Sequence, residues 1–309
     1  MVHFDSGTRT MPNIPHRTPS RRALLSAAAI LALAPLFEPV PCRKVWAQPR
    51  FLDYPFKLGV ASGDPLSDSV VIWTRLAPDP LSTETLPNQA IEVNWEVAED
   101  ESMRRVIQSG SALARPDLAH SVHVELRGLR PSREYYYRFS VSGEESQIGR
   151  TLTTPAKKAN VNNMRFAVAS CQHYEHGYYT AYRDMIAQDP HLIFHLGDYI
   201  YEQHLSHSPL RRHPIEKAYD LADYRALHAV YKTDPDLQAA HAYAPFVFTW
   251  DDHEVENNYA NDQPEFGQPS EKFVLQRAAA YRAYYEHLPL RLIAEPQATS
   301  LRVHKRFQY

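Results

Sequence analysis

The sequence predicts two folded regions in series: a small all-β sandwich over residues 53–153, then an α/β domain over residues 164–309. Three observations carry this reading. The first region is filled with short β-branched and aromatic runs separated by turns rich in Pro, Asp, Ser and Gly. From Met164 onward, short apolar runs alternate with stretches of helical spacing. Between them, residues 153–163 are polar with one proline and read as a linker. At 309 residues the chain is long enough for two cores, and 44% hydrophobic with 22% charged residues excludes a disordered or fibrous class.

Residues 1–47 read as a targeting segment that lies outside the fold. Ser20-Arg21-Arg22-Ala23-Leu24-Leu25 has the twin-arginine form, an apolar run over residues 23–37 follows, and Ala47 closes a cleavage site at Val45-Trp46-Ala47. The apolar run is shorter than the roughly 20 residues of a membrane span. An uncleaved anchor or an ordinary secretory signal is the competing reading. Export by the twin-arginine machinery implies a periplasmic or secreted protein with no stable membrane anchor. Removing the segment takes six basic and two acidic residues, leaving 27 basic against 34 acidic. A chain near −7 offers no electrostatic case for nucleic-acid binding. Of the two cysteines, Cys42 falls in the leader, so Cys171 has no partner for an internal disulfide.

In the β region, residues 70–74, 91–97 and 135–141 are strands, the second with clear alternation. Gly128-Leu129-Arg130-Pro131-Ser132-Arg133-Glu134-Tyr135-Tyr136-Tyr137-Arg138 has the turn-and-strand pattern of an immunoglobulin or fibronectin-like sandwich. In the second region, residues 164–170, 191–196 and 245–250 are strands, and residues 178–188, 221–228 and 271–288 are helices. A polar cluster follows each strand: Cys171-Gln172-His173, Gly197-Asp198-Tyr199-Ile200-Tyr201-Glu202, and Asp251-Asp252-His253-Glu254. Open α/β sheets gather ligands beyond the carboxyl ends of their strands, so the three clusters converge.

These residue types suit a polynuclear metal centre. The Asp198 carboxylate has two oxygens with which to bridge cations. Tyr201, with Tyr199 as its competitor, offers a phenolate to a hard trivalent ion, Cys171 a thiolate, and Asp252 a further hard oxygen. His253 is a ligand or a proton donor. His173, His195 and His204 are expected to pack or to line a rim, and Ser170 to pack. A buried Cys171, an Asp198 that only caps a turn, and an acidic surface turn over residues 251–256 are the bland rivals.

Gly197-Asp198-Tyr199-Ile200-Tyr201 fits the G-D-x-x-Y motif of calcineurin-like metallophosphoesterases, most closely the purple acid phosphatase version. Asp251-Asp252-His253-Glu254 stands where that superfamily has G-N-H-E/D. With Ala169-Ser170-Cys171-Gln172, Trp250-Asp251-Asp252-His253-Glu254-Val255-Glu256-Asn257-Asn258-Tyr259-Ala260, Leu58-Gly59-Val60-Ala61-Ser62-Gly63-Asp64-Pro65 and Trp73-Thr74-Arg75-Leu76, the chain resembles the PhoD family of alkaline phosphatases and phosphodiesterases from about residue 51 to its end.

The resemblance implies a four-layer α/β/β/α metallophosphoesterase domain, incomplete here, behind the β-sandwich. It implies iron(III) held by Cys171, Asp198 and Tyr201, with calcium beside it on Asp198, Asp252 and Asn258. His253 would stabilise the leaving group or the phosphate oxygens. The implied reaction is hydrolysis of phosphomonoesters or phosphodiesters by a metal-activated hydroxide. The family's catalytic domain continues past Tyr309, which makes a catalytically dead truncated fragment one alternative. A noncatalytic cell-surface binding protein, or a hydrolase using Cys171 with His173 or His253, are the others.

Overall fold

The computed structural model describes residues 50–82, 85–204, 207, 209–291, 300–301 and 304–305. The expected leader lies outside these residues, as does most of the strand expected at the chain's end. The described residues fall within one compact unit, Trp46–Tyr309. Among them, no helix is long and apolar enough to cross a membrane.

Two sheets organise the unit. The first has strand order β5-β2-β1-β11-β10-β9, built from β1 (Val60–Gly63), β2 (Ser69–Arg75), β5 (Ser121–Arg127), β9 (Phe166–Ala169), β10 (Leu192–His195) and β11 (Phe246–Phe248). Strands β9, β10, β11 and β1 run parallel, whereas β1, β2 and β5 are antiparallel neighbours. The second sheet is antiparallel, with β4 (Val106–Ala114), β3 (Ile91–Ala98), β6 (Glu134–Val141) and β7 (Glu144–Glu145) in that order, and β8 (Gly149–Leu152) also on β6.

Alternation explains the second sheet. In β6, Tyr135, Tyr137, Phe139 and Val141 all turn inward and the residues between them do not. They meet Val70, Ile72, Val122 and Leu126 of the first sheet, forming a two-sheet sandwich core. Strand β2 is buried on both faces, which is why it reads as an unbroken apolar run. Its other face carries Trp73, whose Nε1 donates to the Glu286 carbonyl at 3.0 Å.

The first sheet therefore crosses the segment expected to be a linker. Gly63 is aligned with Phe246, and a Cβ there would stand 2.5 Å from the Pro289 carbonyl oxygen. Only glycine allows that approach. Residues 153–163 are themselves irregular, as the sequence predicts.

Four helices cover one face of the parallel part. Helix α1 (Ala181–Ala187) is short. Helix α2 (Leu221–Tyr231) opens with a capping box between Asp220 and Asp223. Helix α3 (Pro235–Tyr243), which the sequence reading passes over, has Pro at its first turn and Asp234 accepting from the Asp236 and Leu237 amides. Helix α4 (Ser270–His287) buries Phe273, Ala280, Ala283, Tyr284 and Tyr285 against α2 and the sheet. The opposite face of β9 and β10 stays open: Phe166 is 58%, Val168 52% and Leu196 51% exposed.

Candidate metal centre

The carboxyl ends of β9, β10 and β11 bring the three polar clusters to one place. Past β9, the Cys171 amide donates to the Gly197 carbonyl at 3.2 Å and the Gln172 amide to the Asp198 carbonyl at 3.1 Å, stitching the first loop to the second. Gly197 has φ +111°, and a Cβ there would lie 2.3 Å from the Asp251 amide nitrogen. The second loop thus touches the third through a position that only glycine can fill. Cys171, Asp198 and Asn258 all adopt left-handed φ of 52–55°, a conformation that non-glycine residues keep where surrounding structure imposes it.

Glu254 fixes the meeting of the loops. Its buried carboxylate accepts from the amides of Asp198 (3.0 Å), Tyr199 (2.6 Å) and Asp251 (2.8 Å). Burial pushes this carboxyl up to about 8, against the pull of those three N–H donors. A nearby cation would act in the opposite direction.

Asp198, Asp252 and His253 present ligand atoms that all lie within 4.8 Å of one another. The Tyr201 hydroxyl donates to Asp198 Oδ2 at 3.1 Å, and the Cys171 thiol is near enough to help lower the Asp198 carboxyl. Asp198 Oδ1 is buried without a partner. A buried carboxylate oxygen left bare is costly, and a cation is the group that would satisfy it. The donor set of carboxylates, phenol, thiol and imidazole fits such an ion. Asn258 enters differently: its amide donates to Asp252 Oδ2 at 2.5 Å and its side-chain nitrogen to Glu265 at 2.8 Å, which leaves its side-chain oxygen for a ligand.

The field of the site follows from burial. Desolvation raises the Asp198 carboxyl, against the lowering pull of His253, Tyr201 and Cys171. Burial and then the Asp198 charge raise the Tyr201 phenol well above its ordinary value, so ionising it requires a cation. For His253, burial favours the neutral ring, but Glu202 and the charges of Asp198 and Asp252 outweigh it and the net shift is upward.

Sequence reasoning placed Glu254 and Glu202 within the polar clusters but gave neither a role in holding the site. Glu202 is fully buried, accepts from the Asn257 amide at 3.1 Å and sits 2.7 Å from His253 Nδ1. The one available signal was that both acids directly follow a singled-out residue, Glu202 after Tyr201 and Glu254 after His253. Cys171 is exposed, which removes its reading as a small buried hydrophobe. Ser170, expected to pack, is also exposed because β9 ends at Ala169. His195 is a core residue, and His173 lies tilted against Tyr201 with ring centroids 4.5 Å apart. A cysteine hydrolase would need an imidazole on the thiol. Among the described residues no hydrogen bond joins the Cys171 thiol to either ring; His173 Nδ1 accepts from the Glu175 amide and His253 Nδ1 is engaged by Glu202.

Comparison with known proteins gives the family. Residues 166–309 match the family model described as PhoD-like phosphatase, and residues 42–155 match its N-terminal domain. Alkaline phosphatase D of Bacillus subtilis (strain 168) is 56% identical over 271 residues, covering 86% of this chain and 46% of the relative. A solved structure of PhoD, also 56% identical, superposes with a TM-score of 0.83 over 84% of this chain and 51% of that one. The chain thus spans about half the length of the relatives it matches and shares their α/β fold. With both family regions present and this level of identity, the chain belongs to the PhoD-like phosphatase family.

Proposed function

We propose that the protein is an exported, metal-dependent phosphoesterase acting on phosphomonoesters, phosphodiesters or both. The observation that carries this reading is the bare, buried Oδ1 of Asp198 inside a ligand group less than 5 Å across. Similarity to alkaline phosphatase D supports the same substrate class. In this reading Cys171, Asp198 and Tyr201 would hold iron(III), and Asp198, Asp252 and Asn258 would hold calcium. Bound cations would acidify water and neutralise phosphate oxygens.

The chain's own residues do the positioning. Glu202 fixes the His253 ring through Nδ1, which leaves Nε2 to give a proton or hydrogen bond to a phosphoryl or leaving-group oxygen. Glu254 holds Asp198 and Asp251 in register through their backbone amides. The twin-arginine leader supports a periplasmic or secreted location. The open face of β9 and β10 suits the second sheet of a four-layer sandwich, and the antiparallel region is the fibronectin-like N-terminal domain. Hydrolysis of p-nitrophenyl phosphate and bis(p-nitrophenyl) phosphate tests the activity. Chelation is expected to abolish turnover, and His253→Ala to lower kcat by about 10²–10⁴-fold. Turnover that survives chelation would sink the reading.

A further inference from the structure

We infer that the protein has a second anion site, built around Arg75 at the opposite end of the first sheet from the candidate metal centre, that takes a phosphate group. Strand β2 runs antiparallel to β1, which is parallel to β11. Its last residue, Arg75, therefore lies away from the carboxyl ends of β9–β11, where the metal ligands meet. It belongs to the Trp73-Thr74-Arg75-Leu76 motif, for which the phosphoesterase reading supplies no role.

Arg75 is only 3% exposed, yet among the described residues no carboxylate oxygen lies within ion-pair distance of it. Its guanidinium bonds two neutral acceptors, the Ala119 carbonyl at 2.9 Å and His287 Nε2 at 2.6 Å. Burying a cation without a counter-ion is expensive, and natural proteins pair such charges. Glu286, the acid whose field reaches Arg75, is already held by Arg225 at 2.6 and 2.7 Å and by Arg282 at 3.0 Å. Burial correspondingly lowers Arg75 to about 10.

A cavity of about 440 Å³ is lined by Arg75 together with His120, Arg225, Ser82 and Asn88, with no carboxylate among its described lining residues. Arg115 and Arg282 lie nearby through Asp117. Among the described residues, Arg75 and Arg225 face one acid, Glu286, and that surplus of positive charge suits an anion. The planar guanidinium fork suits tetrahedral phosphate oxygens, and the volume leaves room for a small organic group on the phosphate.

Calorimetric titration of the metal-stripped protein with inorganic phosphate, at ionic strength held constant with chloride, tests this. Saturable binding is expected, weakened at least tenfold by Asn88→Glu, which places a negative charge at the exposed rim without touching the core. Asp252→Asn, which alters the metal centre, is expected to leave it unchanged. Arg75→Gln should abolish it wherever the variant folds, and the rim variant carries the test where it does not. Tighter binding of glycerol 3-phosphate than of phosphate would assign the site to an esterified phosphate; the reverse order would assign it to the free ion. No saturable binding, or binding lost in Asp252→Asn and kept in Asn88→Glu, overturns the inference.

Discussion

At the scale of single residues, environment decides what each group does. His195 and His228 are fully buried and held near 3, and His123 near 4, all by desolvation. In the unfolded chain these rings titrate near 6.5, so below that pH the unfolded state binds the extra protons. Their contribution is complete above about 6.5 and is lost as pH falls toward their folded values. Each can cost up to about 1.4 kcal/mol per pH unit across that window. Urea midpoints should therefore fall steeply between pH 6.5 and 4.5, and an unchanged midpoint would contradict the assignment. The meeting of Asp198, Tyr201, Asp252 and His253 was legible in the sequence because reactive types stood directly after apolar strands, the choice of Tyr201 over Tyr199 resting on the family resemblance. Glu202 and Glu254 were not, because an acid's part as an internal acceptor depends on burial, and burial is a property of the fold.

At the scale of elements, local pattern and long-range pairing part company. Strands β2, β3 and β6 and helices α2 and α4 were visible through alternation and helical spacing. Helix α3 is nine residues, begins at a proline and lacks a clean apolar stripe, so it passed for loop. The junction of β1 with β11 was invisible because Gly63 and Phe246 are far apart in sequence and only their pairing unites the regions. Close loop packing makes a specific demand at this scale. Gly197→Ala forces a Cβ into the Asp251 backbone at an unfavourable φ. It should cost about 2–4 kcal/mol of stability. Thermal melting and metal content should fall together; a variant that melts like the parent would show that the two loops are not in contact.

At the scale of the whole molecule, the first sheet is asymmetric. Helices cover one face, while Phe166, Val168 and Leu196 stand open on the other. A contiguous apolar face of this kind promotes association. Light scattering should show concentration-dependent self-association that Phe166→Thr with Val168→Thr reduces, while metal content stays at the parental level; equal scattering from both proteins would count against the exposed face. The candidate metal centre lies at the carboxyl end of this same sheet, where three chain segments meet around Asp198. Elemental analysis of the purified protein, beside its Asp198→Asn and Tyr201→Phe variants, tests that arrangement most directly. The parent should carry iron and calcium with a tyrosinate absorption band, Tyr201→Phe should lose the band, and Asp198→Asn should lose the metals while remaining folded. A folded parent that stays metal-free and colourless after incubation with both ions would contradict the account.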